Sequence, residues 1–237
     1  IKLQLDVLNI KLANPLADFG IFFPESLLDS SLHYYRLMLK NMAAHGVNFA
    51  YIITPMFDEK KFEAGDFSEL KKYIDIWKEE GILTKRAVLP DTYLTHMIWA
   101  SIGKKELPAD FLEKARGYSR QLCKFLKTNY PEVDWYIYGT DERTGDSRIQ
   151  KIFHEEGVKV LNASNTPEEY LHYNLFFTYV WFPHRGVQSL IRFARTRNHA
   201  VGYYTPMTQF KEPVLYRYKA GFNLWNIRGE GYIPWAY

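Results

Sequence analysis

The chain has 237 residues, 47% of them hydrophobic, which is enough to bury one large core. Its formal net charge is +3 and the basic residues are scattered, the densest cluster being Arg192, Arg195 and Arg197 with Arg185 upstream, so it lacks the basic stripe of a nucleic-acid binder. Cys123 is the single cysteine, which excludes an intrachain disulfide; no Cys/His group has zinc-ligand spacing, and no segment is long and apolar enough to cross a membrane.

Ile1 to Leu12 alternates as Ile-Lys-Leu-Gln-Leu-Asp-Val, the pattern of a half-buried strand. Residues 1–16 therefore read as a strand and linker, either the end of an upstream domain or a strand under the bottom of the main one. Residues 17–237 read as that main domain. The chain has no signal peptide, begins without methionine and ends in an apolar strand, so it reads as a piece of a longer protein.

A unit of apolar strand, turn, amphipathic helix and glycine then repeats. Phe19–Phe23 is the first strand, followed by a helix carrying Leu32, Tyr35, Leu39 and Met42 and ending at Gly46. Val47–Ile53 is the second strand. Asp66 and Glu69 have the spacing of a capping box for the next helix, whose apolar face is Leu70, Ile74 and Trp77 and whose stop is Gly81. Arg86–Leu89 is the third strand, Phe111 to Leu126 a long helix, and Trp135–Tyr138 the fourth strand. In that long helix Cys123 falls among Tyr118, Leu122, Phe125 and Leu126, which predicts a buried structural thiol. A helix from Ile149 to Glu156 ends at Gly157, and Val158–Leu161 is the fifth strand. A short helix starts at Thr166-Pro167, Leu175–Val180 is the sixth strand, and Val187–Ala194 a helix. Val201–Tyr204 is the seventh strand, Leu215 to Ile227 a helix ending at Gly229, and Tyr232–Ala236 the eighth strand. Trp77 and Trp225, both on helices, are expected to pack.

Eight such beats predict an α/β fold with a parallel sheet closed into a (β/α)8 TIM barrel, its last helix missing from this sequence. The rival is an open doubly wound sheet, which carries a glycine-rich phosphate loop after its first strand. Here that position reads Phe22-Phe-Pro-Glu-Ser.

Barrel active sites lie at the carboxyl ends of the strands. Those ends supply Glu25, Asp58, Asp91, Asp141, Glu142, Trp181 and Trp235, with tyrosines Tyr179 and Tyr204 on the strands themselves. Carboxylates and indoles suit the hydroxyls and C–H faces of a sugar better than they suit a nucleotide. The adjacent pair Asp141–Glu142, at the end of Trp135-Tyr-Ile-Tyr-Gly-Thr, is the sharpest feature. Neighbouring carboxylates repel, and partial burial raises one of their pKa values, as a general acid needs at neutral pH. The same pair would also suit a solvated helix N-terminus, although Asp146 lies closer to the helix.

An ordinary retaining glycosidase needs a second carboxylate as nucleophile. The seventh strand and its end read Val201-Gly-Tyr-Tyr-Thr-Pro-Met-Thr-Gln, without an acid. That favours substrate assistance, in which the sugar's own 2-acetamido oxygen attacks the anomeric carbon.

The run Tyr136-Ile-Tyr-Gly-Thr-Asp-Glu resembles the fourth-strand motif of glycoside hydrolase family 123 and related barrels. Gly221-Phe-Asn-Leu-Trp-Asn and Gly229-Glu-Gly-Tyr-Ile-Pro-Trp-Ala-Tyr resemble their closing helix and last strand, and Leu3 to Leu12 the final strand of the preceding β-sandwich. The resemblance implies a β-N-acetylhexosaminidase-type enzyme in which Asp141 orients the acetamido group and Glu142 is the general acid/base. It also implies an acetamido-binding tyrosine, for which Tyr179 and Tyr204 both qualify, and a secreted or periplasmic location. Arg143 departs from the proline more usual after the pair.

Glu25, Asp91, Trp181 and Trp235 complete the expected substrate contacts, Trp235 as a floor under a sugar ring. The expected partner is a carbohydrate; nucleic acid, membrane, metal and organic cofactor are not expected, and the oligomeric state is open. Two rival functions remain: a two-carboxylate glycosidase pairing Glu142 with Glu25, Asp58 or Asp91, and a non-catalytic barrel that binds glycan or scaffolds a larger protein.

Overall fold

The computed structural model of the chain describes residues 18–19, 31–51, 59–89, 106–141, 147–157, 159–163, 175–179, 191–192, 194–198, 200–206, 225, 228–229 and 231–235. The expected strand and linker of residues 1–16 lie outside these. Among the described residues there are eight strands: β1 (Asp18–Phe19), β2 (Ala50–Tyr51), β3 (Arg86–Leu89), β4 (Asp134–Asp141), β5 (Lys159–Ala163), β6 (Leu175–Tyr179), β7 (Ala200–Pro206) and β8 (Gly231–Trp235). Between them run α1 (Leu32–Ala44), α2 (Glu59–Glu63), α3 (Ser68–Glu79), α4 (Ala109–Asn129) and α5 (Ser147–Glu155).

The strands form one sheet in the order β1-β8-β7-β6-β5-β4-β3-β2, with every recorded pair parallel. Strands neighbouring in space are thus neighbours in sequence, and the first strand lies against the last. A doubly wound sheet reverses its strand order in the middle and leaves its first strand central. The order found here is that of a closed barrel, so the rival fold is excluded.

Local signals explain the helices. Ser31 caps α1, its hydroxyl accepting from the Tyr34 N–H at 3.3 Å. Gly81 and Gly157 follow α3 and α5 with φ of +79° and +80°, the left-handed conformation that ends a helix without Cβ strain. The start of α3 differs from expectation. Its N-cap is Phe67, and Asp66, one residue earlier, accepts instead from the Ser68 N–H at 2.9 Å. Glu69 pairs with Lys72 at 3.3 Å. The spacing was right for a capping box, but the helix begins one residue too late to use it.

The core lies between the sheet and the helix ring. Leu39, Ile74, Trp77 and Leu122 on the helices are fully buried, as are Ala87 and Val160 on the strands. Phe67 stacks on Phe125 with ring centroids 4.9 Å apart, joining the start of α3 to α4. Ion pairs tie the ring from outside: Arg36 on α1 meets Glu79 at 2.6 Å and Glu80 at 2.9 Å, and Arg120 on α4 grips Glu156 through two hydrogen bonds of 2.8 and 3.0 Å.

Two packing expectations fail. Cys123 is half-buried rather than buried, its sulfur 3.8 Å from the Gly157 carbonyl at the edge of the α4 apolar face. Trp77 packs as expected, but Trp225 is 73% exposed, so a helical indole is not by itself a core residue.

Candidate active site

The two faces of the sheet are told apart at the start of β4. Trp135 donates its indole N–H to the carbonyl of Tyr130, the C-cap of α4, at 3.3 Å, and the two rings meet edge to face at 5.8 Å. Trp135 therefore faces the helix ring. Its neighbours Asp134 and Tyr136 take the opposite face, the barrel interior, because strand side chains alternate. There the Tyr136 hydroxyl donates to Asp134 at 2.9 Å, Lys159 of β5 bonds Asp134 and lies 5.5 Å from the Tyr136 ring, and Arg86 of β3 stands 4.0 Å from Asp134. Arg86, Asp134 and Lys159 begin their strands, so this mixed-charge layer belongs to the amino-terminal end of the barrel, where residues serve stability.

Toward the other end β4 departs from regular pairing. Tyr138 is in register with Leu161, but Thr140 is in register with Asn162 and Asp141 with Ala163. Gly139 is an extra residue, a β-bulge. On β5 the interior positions run Lys159, Leu161, Ala163, and register partners share a face of the sheet. The bulge thus gives Asp141 a position on the interior face, which an unbroken alternation from Tyr136 would have given to Thr140. Bulges recur next to active sites because they re-aim the residue that follows.

The same interior row can be followed around the barrel. From Asp141 and Ala163 it passes to Phe177, Gly202 and Gly231. The last residues of β6, β7 and β8 are Tyr179, Pro206 and Trp235, two, four and four positions beyond that row. This progressive stagger is what tilted barrel strands require. All the offsets are even, so Tyr179, Pro206 and Trp235 keep the interior face, and Tyr204 joins them as the register partner of Tyr179.

Four of the expected site residues, Asp141, Tyr179, Tyr204 and Trp235, thus occupy interior-face positions at or near the carboxyl ends of their strands. With eight strands in the ring, β8 stands four strands from β4 in either direction, so Trp235 and Asp141 occupy opposite walls. Tyr179 and Tyr204 lie on the arc between them. Glu25, Asp91, Glu142 and Trp181 lie outside the described residues, as do Asp58 and Asp146. The sequence reading placed the end of the fourth strand at Tyr138, three residues short of Asp141, and missed the bulge. It also passed over Asp18, which shares the interior face through its register with Gly231, the first residue of β8. That places Asp18 at the amino-terminal end, with Asp134 rather than with Asp141.

Among the described residues, no group of His, Cys, Asp and Glu could hold a metal ion, and no helix is long and apolar enough to cross a membrane.

No protein-family model matches the chain, and no curated protein matches it in sequence. Among solved structures it is similar to a sugar phosphate isomerase/epimerase from Parabacteroides distasonis ATCC 8503, with a TM-score of 0.53 and 12% identity over 96% of this chain and 88% of that one. It is also similar to CbXyn10B in its native form, with a TM-score of 0.51 and 11% identity over 93% of this chain and 84% of that one. At these identities the likeness is one of fold, and it agrees with the strand order: the chain is a (β/α)8 TIM barrel.

Proposed function

We propose that this barrel is a glycosidase acting on an N-acetylated amino sugar by a retaining, substrate-assisted mechanism. The observation that carries the reading is the placement of Asp141 on the interior face at the end of β4, with Tyr179, Tyr204 and Trp235 on that same face around the ring. A carboxylate position opposite an indole position, with two phenols between, offers hydrogen-bond partners on one side of a sugar and an apolar plane on the other. The seventh strand, Ala200–Pro206, ends without the carboxylate that a two-acid retaining enzyme places there. The similar protein from Parabacteroides distasonis is a sugar phosphate isomerase/epimerase, which fits a carbohydrate ligand at such a mouth.

In this reading Asp141 accepts a hydrogen bond from the substrate's acetamido N–H and turns its carbonyl oxygen toward the anomeric carbon. That oxygen attacks as the glycosidic C–O bond breaks, and Glu142 gives its proton to the leaving oxygen. Glu142, now a carboxylate, takes a proton from water, which opens the cyclic intermediate and leaves the configuration retained. Carbohydrate is the partner; no metal or organic cofactor takes part.

The test is hydrolysis of aryl β-N-acetylgalactosaminide and β-N-acetylglucosaminide by the chain and by Asp141→Asn and Glu142→Gln. Loss of turnover in both variants supports the reading. Turnover of plain aryl glycosides alone would replace it with the two-carboxylate scheme, and a folded protein silent on every substrate with a binding barrel.

A further inference from the structure

We propose that the amino-terminal end of this barrel carries a separate surface, built from arginines and an exposed indole, that holds an acidic polysaccharide; the inference does not depend on the reaction proposed above. Residues 191–192, 194–196 and 225 are helical, and their segments lead into β7 and β8, with Arg197 and Arg228 each three residues ahead of the strand that follows. The surface therefore lies at the amino ends of the strands, away from the mouth. Arg192, Arg195, Arg197 and Arg228 are all exposed there. Trp225 is 73% exposed, more than any other large hydrophobic residue described. One contact joins the two segments: the Arg195 guanidinium donates to the Arg228 carbonyl. The Arg228 N–H donates in turn to the Trp225 carbonyl at 2.9 Å, which keeps the tryptophan within one turn of that junction. A guanidinium keeps its charge when it donates to a carbonyl, so Arg195 still belongs to the cationic surface.

The backbone at Arg228 is an independent observation. Its φ is +51°, in the left-handed region. The neighbouring segment turns at Asn198, φ +59°, a residue type that tolerates this conformation. Arginine does not share that tolerance, and keeping it at such a position argues for a role of its side chain beyond the turn. Guanidinium forks pair with sulfate and carboxylate groups. An exposed indole offers a flat face to the C–H side of a pyranose ring. An acidic peptide would use the first feature without needing the second, so the combination favours an acidic polysaccharide.

The experiment measures binding of the whole chain to labelled dextran sulfate, polygalacturonate, neutral dextran and poly-glutamate, with thermal unfolding to verify folding. At least one of the two acidic polysaccharides should bind about tenfold or more tightly than dextran and poly-glutamate, and raised salt should weaken it. Whichever binds better identifies the acidic group. Trp225→Ala, and Arg192→Gln with Arg197→Gln, should each weaken that binding by about tenfold. Arg228→Gly should weaken it without lowering the unfolding temperature, because glycine relieves the left-handed backbone. Lys124→Gln with Lys127→Gln removes the same charge from exposed positions on α4 and should leave binding unchanged. An equal loss in the α4 pair would reduce the effect to overall charge and overturn the proposal. So would poly-glutamate bound as tightly as the polysaccharides, or undiminished binding by folded Trp225→Ala. Hydrolysis plays no part in this readout, so failure of the glycosidase reading would leave the surface standing.

Discussion

Asp141 lies in register with Ala163 because Gly139 is one residue more than β5 can match. That extra residue gives Asp141 a position on the interior face and Thr140 one on the other face, which it shares with Asn162. The two neighbours should therefore respond oppositely to truncation. Asp141→Ala is expected to lower kcat for an aryl N-acetylhexosaminide by about 100-fold, the scale on which lost positioning of a reacting group slows a reaction. Thr140→Ala should leave kcat close to wild type. Equal losses at the two positions would refute the assignment of faces.

The contrast also marks how far the sequence could be read. Strand and helix succession was legible because each element carries its own periodicity and punctuation: Arg86–Leu89 has the predicted bounds, and Gly81 and Gly157 stop their helices. The barrel followed from that succession. The site was legible only in part. Asp141 could be found because it abruptly ends an apolar run; Gly139 inside the strand pattern was a signal for a bulge, but the register that follows it, and so the face of Asp141, is fixed only by pairing with β5. The exposure of Trp225 was equally hidden, because a helix's apolar residues do not say whether a neighbour covers them. Asp18 had no signal at all, and its interior position comes entirely from pairing with β8.

A second test concerns the joint between α1 and α3. Trp77 donates its indole N–H to the Tyr35 hydroxyl at 2.6 Å, and both residues are fully buried. Burial, the largest influence, raises the Tyr35 pKa, so its hydroxyl stays neutral. Tyr35→Phe keeps the ring and removes the acceptor, leaving a buried donor to lose this partner. The cost should be about 1–3 kcal/mol of unfolding free energy. Denaturant unfolding would show it as a lower midpoint with an unaltered slope. An unshifted midpoint would mean that the indole is satisfied equally well without Tyr35.

Ser119 invites the opposite change. It is fully buried in α4, one turn beyond the fully buried Ala115, and its hydroxyl has no hydrogen-bond partner among the described residues. Alanine removes the unpaired polar atom and favours the helix, two effects of the same sign. Ser119→Ala should raise the unfolding free energy by about 1 kcal/mol. A loss of stability would show that the hydroxyl has a partner after all.

The last prediction concerns pH and rests on Asp75. Its carboxylate pairs with Lys71 at 2.6 Å and accepts from the Tyr130 hydroxyl at 2.7 Å. Burial works to raise the Asp75 pKa, but the Lys71 and Tyr130 hydrogen bonds outweigh it and hold the carboxyl below its ordinary value. Tyr130 moves the other way: burial first, then its bond to Asp75, pushes the phenol well above its usual range. The two signs define a window. Asp75 contributes stability above its unfolded pKa of about 3.9, and the contribution is lost as pH falls through the lower folded value. Tyr130 contributes below its unfolded pKa of about 10; above it the unfolded phenol ionises while the folded one stays neutral, so stability falls as pH rises toward the folded value. Denaturant unfolding of Tyr130→Phe should therefore lose less stability than wild type between about pH 9 and 11. Asp75→Asn should weaken both arms, since it removes the acid that titrates at low pH and one of the causes that raises the phenol. Wild-type and Tyr130→Phe curves that stay parallel through the alkaline arm would show that the phenol's displacement does not reach the stability of the fold.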